Sequence, residues 1–141
     1  MTPAWVRLWL AASVAMLAGC PSFHAGLLPG APNDATFVEV DGVHVHYRDV
    51  GQGPTVVLIH GYSASIELWR PVQDALAERH RVIAVDLKGF GWTSRPAGDY
   101  SPGAQAALVW SVLDKLGVGD VAVVGHRSEE RRVGKECRSR W

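Results

Sequence analysis

The run TVVLIHGYSAS, residues 55–65, decides the fold. Residues 55–60 are apolar except at the two ends, the pattern of a parallel strand covered on both faces; a strand with one wet face alternates instead. Gly51-Gln52-Gly53-Pro54 breaks the chain just before it. After the polar turn at 61–65, residues 66–80 read as a helix. Pro71 suits a first turn, where its missing N–H costs nothing, and Val72, Ala75 and Leu76 supply an apolar stripe, with Trp69 packing at the helix entry.

Downstream, residues 81–85 form the next buried strand, ending in DLKGFGWTS at 86–94. Ser101-Pro102 caps a second helix, in which Ala104, Ala107, Leu108, Val112 and Leu116 recur at helical spacing until Gly117 closes it. Asp120 leads into a last apolar strand, 121–125, within VAVVGH. Upstream, residues 36–40 and 43–50 alternate apolar with polar around Asp41-Gly42, a hairpin with a type I′ turn. A hairpin followed by strand and helix in alternation predicts an α/β domain with a mostly parallel sheet. His44 and His46 share one face of the second hairpin strand. An exposed strand face is expected there rather than a metal site, because no further ligands lie nearby. Neither a metal nor a cofactor is expected anywhere in the chain.

Three motifs in order carry a family resemblance. HGYSAS (60–65) after one buried strand, DLKGFGWTS (86–94) after the next, and VAVVGH (121–126) after the following helix are similar to successive landmarks of the α/β-hydrolase family. The likeness covers about residues 37–126. It implies the N-terminal half of an α/β-hydrolase fold, a mostly parallel sheet with an antiparallel first hairpin, truncated before the elbow helix.

The resemblance also implies roles. Acyl transfer passes through an oxyanion held by two backbone N–H groups aimed at the developing charge. One donor is the N–H of Tyr62, after the His60-Gly61 pair; the other belongs to the residue after the nucleophile, at position 128 of an intact parent. Gly61 permits the sharp turn, and His60 is expected to brace the loop rather than to transfer protons. A G-x-S-x-G elbow would place Ser at 127 and Gly at 129, but the chain has Arg127 and Glu129. Because the triad runs Ser, acid, His along this fold, the acid and the His would lie further downstream. No catalytic residue is therefore expected in this chain, and no hydrolase activity. Ser63, Ser65 and Ser94 suit turns and caps. Ser128 lacks the flanking glycines, and Asp86 is expected to shape a loop.

For the parent, the resemblance implies a serine esterase, lipase or related hydrolase acting on a small ester or similar small molecule. An Asp-nucleophile dehalogenase or epoxide hydrolase is the alternative, disfavoured because Ser63 stands where epoxide hydrolases resemble HG-x-P. A non-catalytic binding lipoprotein on the same fold is the other alternative.

Residues 127–141, RSEERRVGKECRSRW, break the pattern of everything before them. Codon by codon they resemble the translation of a sequencing-library adapter, and they are expected to be a non-native tail; a genuine basic tail is the other reading. The tail holds six of the chain's 14 basic and three of its 14 acidic side chains, leaving residues 1–126 with eight and eleven, a net charge of −3. Such a body carries no clustered cationic footprint, so nucleic acid is not an expected partner.

At the other end, residues 1–20, MTPAWVRLWLAASVAMLAGC, join Arg7 to an apolar stretch at 8–17 and finish in Leu17-Ala18-Gly19-Cys20. The ending is similar to the lipobox of bacterial lipoproteins, in which the Cys is acylated after cleavage. An ordinary secretory signal or a membrane span are the competing readings, and the apolar stretch is short of the roughly 20 residues a span needs. The expected organisation is a lipoprotein signal peptide at 1–19, lipidated Cys20 and a flexible Pro/Gly/Ala tether to 35, the partial hydrolase domain at 36–126, and the tail. The expected location is the bacterial cell envelope, with the domain anchored to the membrane through Cys20 and facing the periplasm or exterior.

Overall fold

The structure is a computed structural model that describes residues 23–126. The expected signal peptide at 1–19, Cys20, Arg127 and the expected non-native tail lie outside the described residues. Strands β1 (Thr36–Val40) and β2 (Val43–Val50) pair antiparallel in the register Thr36↔Tyr47 to Val40↔Val43. Their turn has Asp41 at φ 49 and Gly42 at φ 75. Positive φ at both central residues is what a type I′ hairpin requires.

Strands β3 (Thr55–Ile59), β4 (Arg81–Val85) and β5 (Val121–Gly125) complete a five-stranded sheet in the order β1-β2-β4-β3-β5. β4 and β5 flank β3 in parallel, with Ile59 opposite Val85 on one side and Gly125 on the other. β2 closes on β4 antiparallel. The sheet is therefore mixed, mostly parallel, with an antiparallel first hairpin, as the sequence predicts.

Alternate side chains of each strand feed opposite faces. On one face Val45, Val57, Ile83 and Val85 pack with Leu108, Val109, Val112 and Leu113 of helix α2 (Pro102–Lys115). On the other, Val56, Leu58, Val82 and Ala84 pack with Ile66 and Trp69 of a 3₁₀ turn, Ile66–Trp69, that runs into helix α1 (Arg70–Leu76). Both faces of β3 and β4 are thus covered, which is why their sequences do not alternate.

Three local expectations are corrected. Of the apolar stripe expected on the first helix only Leu76 packs against the core, half-buried, while Val72 and Ala75 are exposed. The buried residue is Gln73, whose amide donates to the carbonyls of Arg48 and Val82 at 3.0 and 3.1 Å while its oxygen accepts from Arg48 at 3.0 Å. A polar side chain with every partner met can be buried at little cost. Helix α1 also stops at Leu76 rather than continuing to residue 80. The chain there folds tightly over Gly51, at φ +77, where an added Cβ would lie 2.2 Å from the His80 carbonyl oxygen. Finally, His46 is buried rather than on an open strand face.

The segment before β1 lies along the domain. His24 and Arg95 exchange two backbone hydrogen bonds, at 2.9 and 2.7 Å. Leu28 is half-buried, while Phe23 and Leu27 are exposed. Among the described residues no helix is long and apolar enough to cross a membrane.

Candidate active site

Because β3 and β5 are parallel and in register at Ile59 and Gly125, the chain leaves both strands side by side; the His126 N–H donates to the Ile59 carbonyl at 3.0 Å. Ligands of open α/β sheets bind outside the carboxyl ends of such strands. A cleft of about 720 Å³ lies there, lined by apolar Ile59, Leu87, Phe90 and Val109 together with His60, Gly61, Tyr62, Tyr100 and His126. Its size and apolar lining suit a small organic molecule.

The loop at 60–65 is held from inside. His60 is buried; its Nδ1 lies 2.8 Å from the Gly61 carbonyl oxygen, and its Nε2 accepts the Leu87 N–H at 3.0 Å. An N–H donor on one side and a carbonyl on the other assign the neutral ring with hydrogen on Nδ1. With both nitrogens committed to backbone, His60 joins the loop after β3 to the loop after β4 and has no lone pair left for a substrate. Phe90 contacts the rings of both His60 and Tyr62 edge-on, at 5.7 and 5.6 Å. Tyr62 lines the cleft and is 78% exposed. Ser63, at φ 59, takes the bend, and Ser65 caps the 3₁₀ turn by accepting from Glu67 N–H.

Asp86, fully buried at the end of β4, ties three segments together. Its Oδ1 accepts the Ile66 N–H at 2.8 Å, and its Oδ2 accepts the Trp92 N–H at 3.0 Å and meets His46 Nδ1 at 2.7 Å. Thr93 Oγ1 donates to the Asp86 carbonyl at 2.7 Å and accepts the His46 N–H at 3.0 Å. Ser94 Oγ accepts the His44 N–H at 3.0 Å. The Gly91 backbone folds so closely over this carboxylate that an added Cβ would fall 1.9 Å from Oδ2. Asp86 therefore shapes loops and presents no free oxygen to the cleft. His46 is the member of this group that the sequence reading missed. No local signal marks it, because its partner lies 40 residues away and becomes visible only through the β2–β4 register.

Tyr100 was also not singled out. Burial pushes its hydroxyl above the ordinary value, Arg95 offsets this in part, and the hydroxyl donates to the Pro96 carbonyl at 2.7 Å. The Lys88 ammonium lies 4.6 Å from its ring centre. A smaller cleft, of about 210 Å³, opens on the other side of the sheet near Arg48, Glu67 and Arg70. Its cations are already engaged, Arg48 with Asp74 at 2.8 Å and Arg70 with Glu67 at 2.6 Å. Among the described residues no group of three or more His, Cys, Asp or Glu could hold a metal ion.

A mostly parallel sheet covered on both faces, with a tight loop after β3 and an apolar cleft at the carboxyl ends of its middle strands, defines the α/β-hydrolase class. The chain belongs to the alpha/beta hydrolase fold family, whose model matches residues 54–126. It is 38% identical over 96 residues to an uncharacterised protein of Mycobacterium tuberculosis, a match covering 68% of this chain and 28% of that one. It is also 38% identical over 87 residues to a soluble epoxide hydrolase of Corynebacterium, covering 62% and 30%. Among solved structures it resembles an α/β-hydrolase fold protein from Burkholderia ambifaria, with TM-score 0.62, 33% identity and coverage of 73% and 36%. An epoxide hydrolase from Vigna radiata gives TM-score 0.62 at 33% identity, with coverage of 67% and 32%. The chain thus spans about 30% of the curated relatives it matches.

Proposed function

We propose that this chain supplies the first half of a hydrolase active site, with the Tyr62 N–H as one oxyanion donor and the nucleophile at the position after His126. The observation that carries the reading is the parallel register of β3 and β5, with the Tyr62 loop and the end of β5 both lining one cleft. A nucleophile raised at that point and an N–H aimed across the cleft meet the geometric demand of acyl transfer. His60 and Asp86 hold the loops and take no part in proton transfer. A serine nucleophile acting on a small ester is the first choice, supported by Ser63 in place of the proline of the epoxide-hydrolase pattern.

A second reading has support of its own, since relatives named as epoxide hydrolases recur in both sequence and structure. Under it the nucleophile is Asp, and the same position carries it. Under either reading the 141-residue polypeptide is inactive, because Arg127 stands where the nucleophile belongs and an oxyanion donor alone cannot attack or accept a proton. The chain's residues 1–20 further support membrane attachment through Cys20 in the bacterial envelope, with residues 127–141 as a foreign tail.

The test is an ester- and epoxide-hydrolysis assay on the purified chain, beside Tyr62→Pro. Background rates from both are expected. Turnover by the unaltered chain that Tyr62→Pro abolishes would overturn the proposal of inactivity.

A further inference from the structure

We propose that the segment around His24 is a membrane-contact surface that seats the cleft end of the domain on a phospholipid bilayer. This rests on the acyl attachment at Cys20 put forward above. A loose tether would leave the domain free to stand off and rotate. Instead the segment is clamped at once: His24 and Arg95 exchange two backbone hydrogen bonds. Three residues separate Cys20 from His24, a span of four steps, and an extended chain advances at most ~3.6 Å per step, so His24 lies within about 14 Å of the acylated residue.

The clamp fixes which end of the domain faces the lipid. Arg95 belongs to the loop that follows β4, at the carboxyl end of the sheet where the cleft opens. Tyr100 of the same loop lines the cleft and is bonded to Pro96, the neighbour of Arg95. The residues beside the clamp suit an interface: Phe23 and Leu27 are each 57% exposed, and Arg95 is exposed and makes no ion pair among the described residues. Apolar side chains settle at the headgroup boundary, and a guanidinium reaches lipid phosphate while its stem stays apolar. The acyl chains hold the domain at the bilayer, and these contacts add the orientation that a tether alone does not supply.

The experiment uses the full chain, made in a bacterium, with Cys137→Ser and either Ala97→Cys or Asp120→Cys carrying an environment-sensitive fluorophore. Ala97 is exposed in the loop beside Arg95, whereas Asp120 precedes β5 at the opposite end of the sheet. Incorporation of labelled palmitate reads the attachment separately. In vesicles of phosphatidylglycerol and phosphatidylethanolamine containing a nitroxide-headgroup lipid, quenching at position 97 is expected to be several-fold stronger than at position 120. A ten-residue Gly/Ser insert after Ser22, worth about 17 Å of reach, is expected to weaken quenching at 97 without changing palmitate incorporation. Equal quenching at both positions with palmitate incorporated overturns the seating and leaves the anchor standing. Quenching at 97 that ignores the insert overturns it too. Absence of palmitate overturns the anchor, and the seating with it.

Discussion

Asp86 concentrates more of the site's order than any other single side chain. Its two oxygens accept the Ile66 and Trp92 N–H groups and meet the ring of buried His46. Replacing it with Ala strands these partners in a dry interior, at a cost of about 1 kcal/mol or more for each unmet group. Asp86→Ala is therefore expected to speed hydrogen exchange at the Ile66 and Trp92 amides by well over tenfold; unchanged exchange would refute its role as the tie between loops. Gly91→Ala attacks the same point from the other side. The added Cβ meets the carboxylate at 1.9 Å, and Gly91 sits at φ +48, so both contact and backbone oppose it. It is expected to raise exchange at Trp92 as strongly, while Gly119→Ala, where a Cβ meets nothing, leaves it unchanged. Neither role was legible beyond the expectation that Asp86 shapes a loop. The sequence shows an Asp before a Gly-rich stretch, but the buried imidazole opposite it depends on pairing between distant strands.

At the level of elements, the start of α2 is set by a short relay. Asp99 accepts the Ser101 N–H and hydroxyl at 2.7 and 2.9 Å, and Ser101 Oγ in turn accepts the Ala104 N–H at 3.3 Å. The Ser101 backbone bond, and next its hydroxyl, hold the Asp99 carboxyl below its ordinary 3.8. A folded-state value below the unfolded one means that the relay is intact above about pH 4 and is lost as the solution is acidified further. Loosening of the α2 amides is thus expected below pH 4 and not between pH 5 and 8, as read by exchange at Ala104 and Gln105. Ser101→Ala is expected to cost about 1 kcal/mol in thermal unfolding, the usual worth of such a cap. The strands, the Asp41-Gly42 turn and this cap were all legible because each rests on local chemistry: apolar runs, positive φ, a hydroxyl before Pro. Helix α1 was misread because Val72 and Ala75 imitate a stripe, whereas Gln73 is the residue drawn inward by carbonyls of β2 and β4.

For the whole molecule, the edge of the sheet matters most. Among the described residues β5 is the last strand in the sheet order, and Val123 and Val124 are 51% and 41% exposed. An apolar edge strand with unpaired backbone groups is a template for association. The chain is expected to sediment as a mixture of oligomers, and Val123→Lys to shift it toward monomer; a monodisperse monomer without that substitution would count against this reading. The proposed nucleophile elbow would follow this same strand, in place of the sequence that stands after His126. The most direct test is to read the codons that follow His126 in the source organism's own genomic DNA. Ser or Asp is expected at 127 and Gly at 129, followed by an elbow helix. Genomic codons for Arg127 and Glu129, continuing into the tail as written, would contradict it.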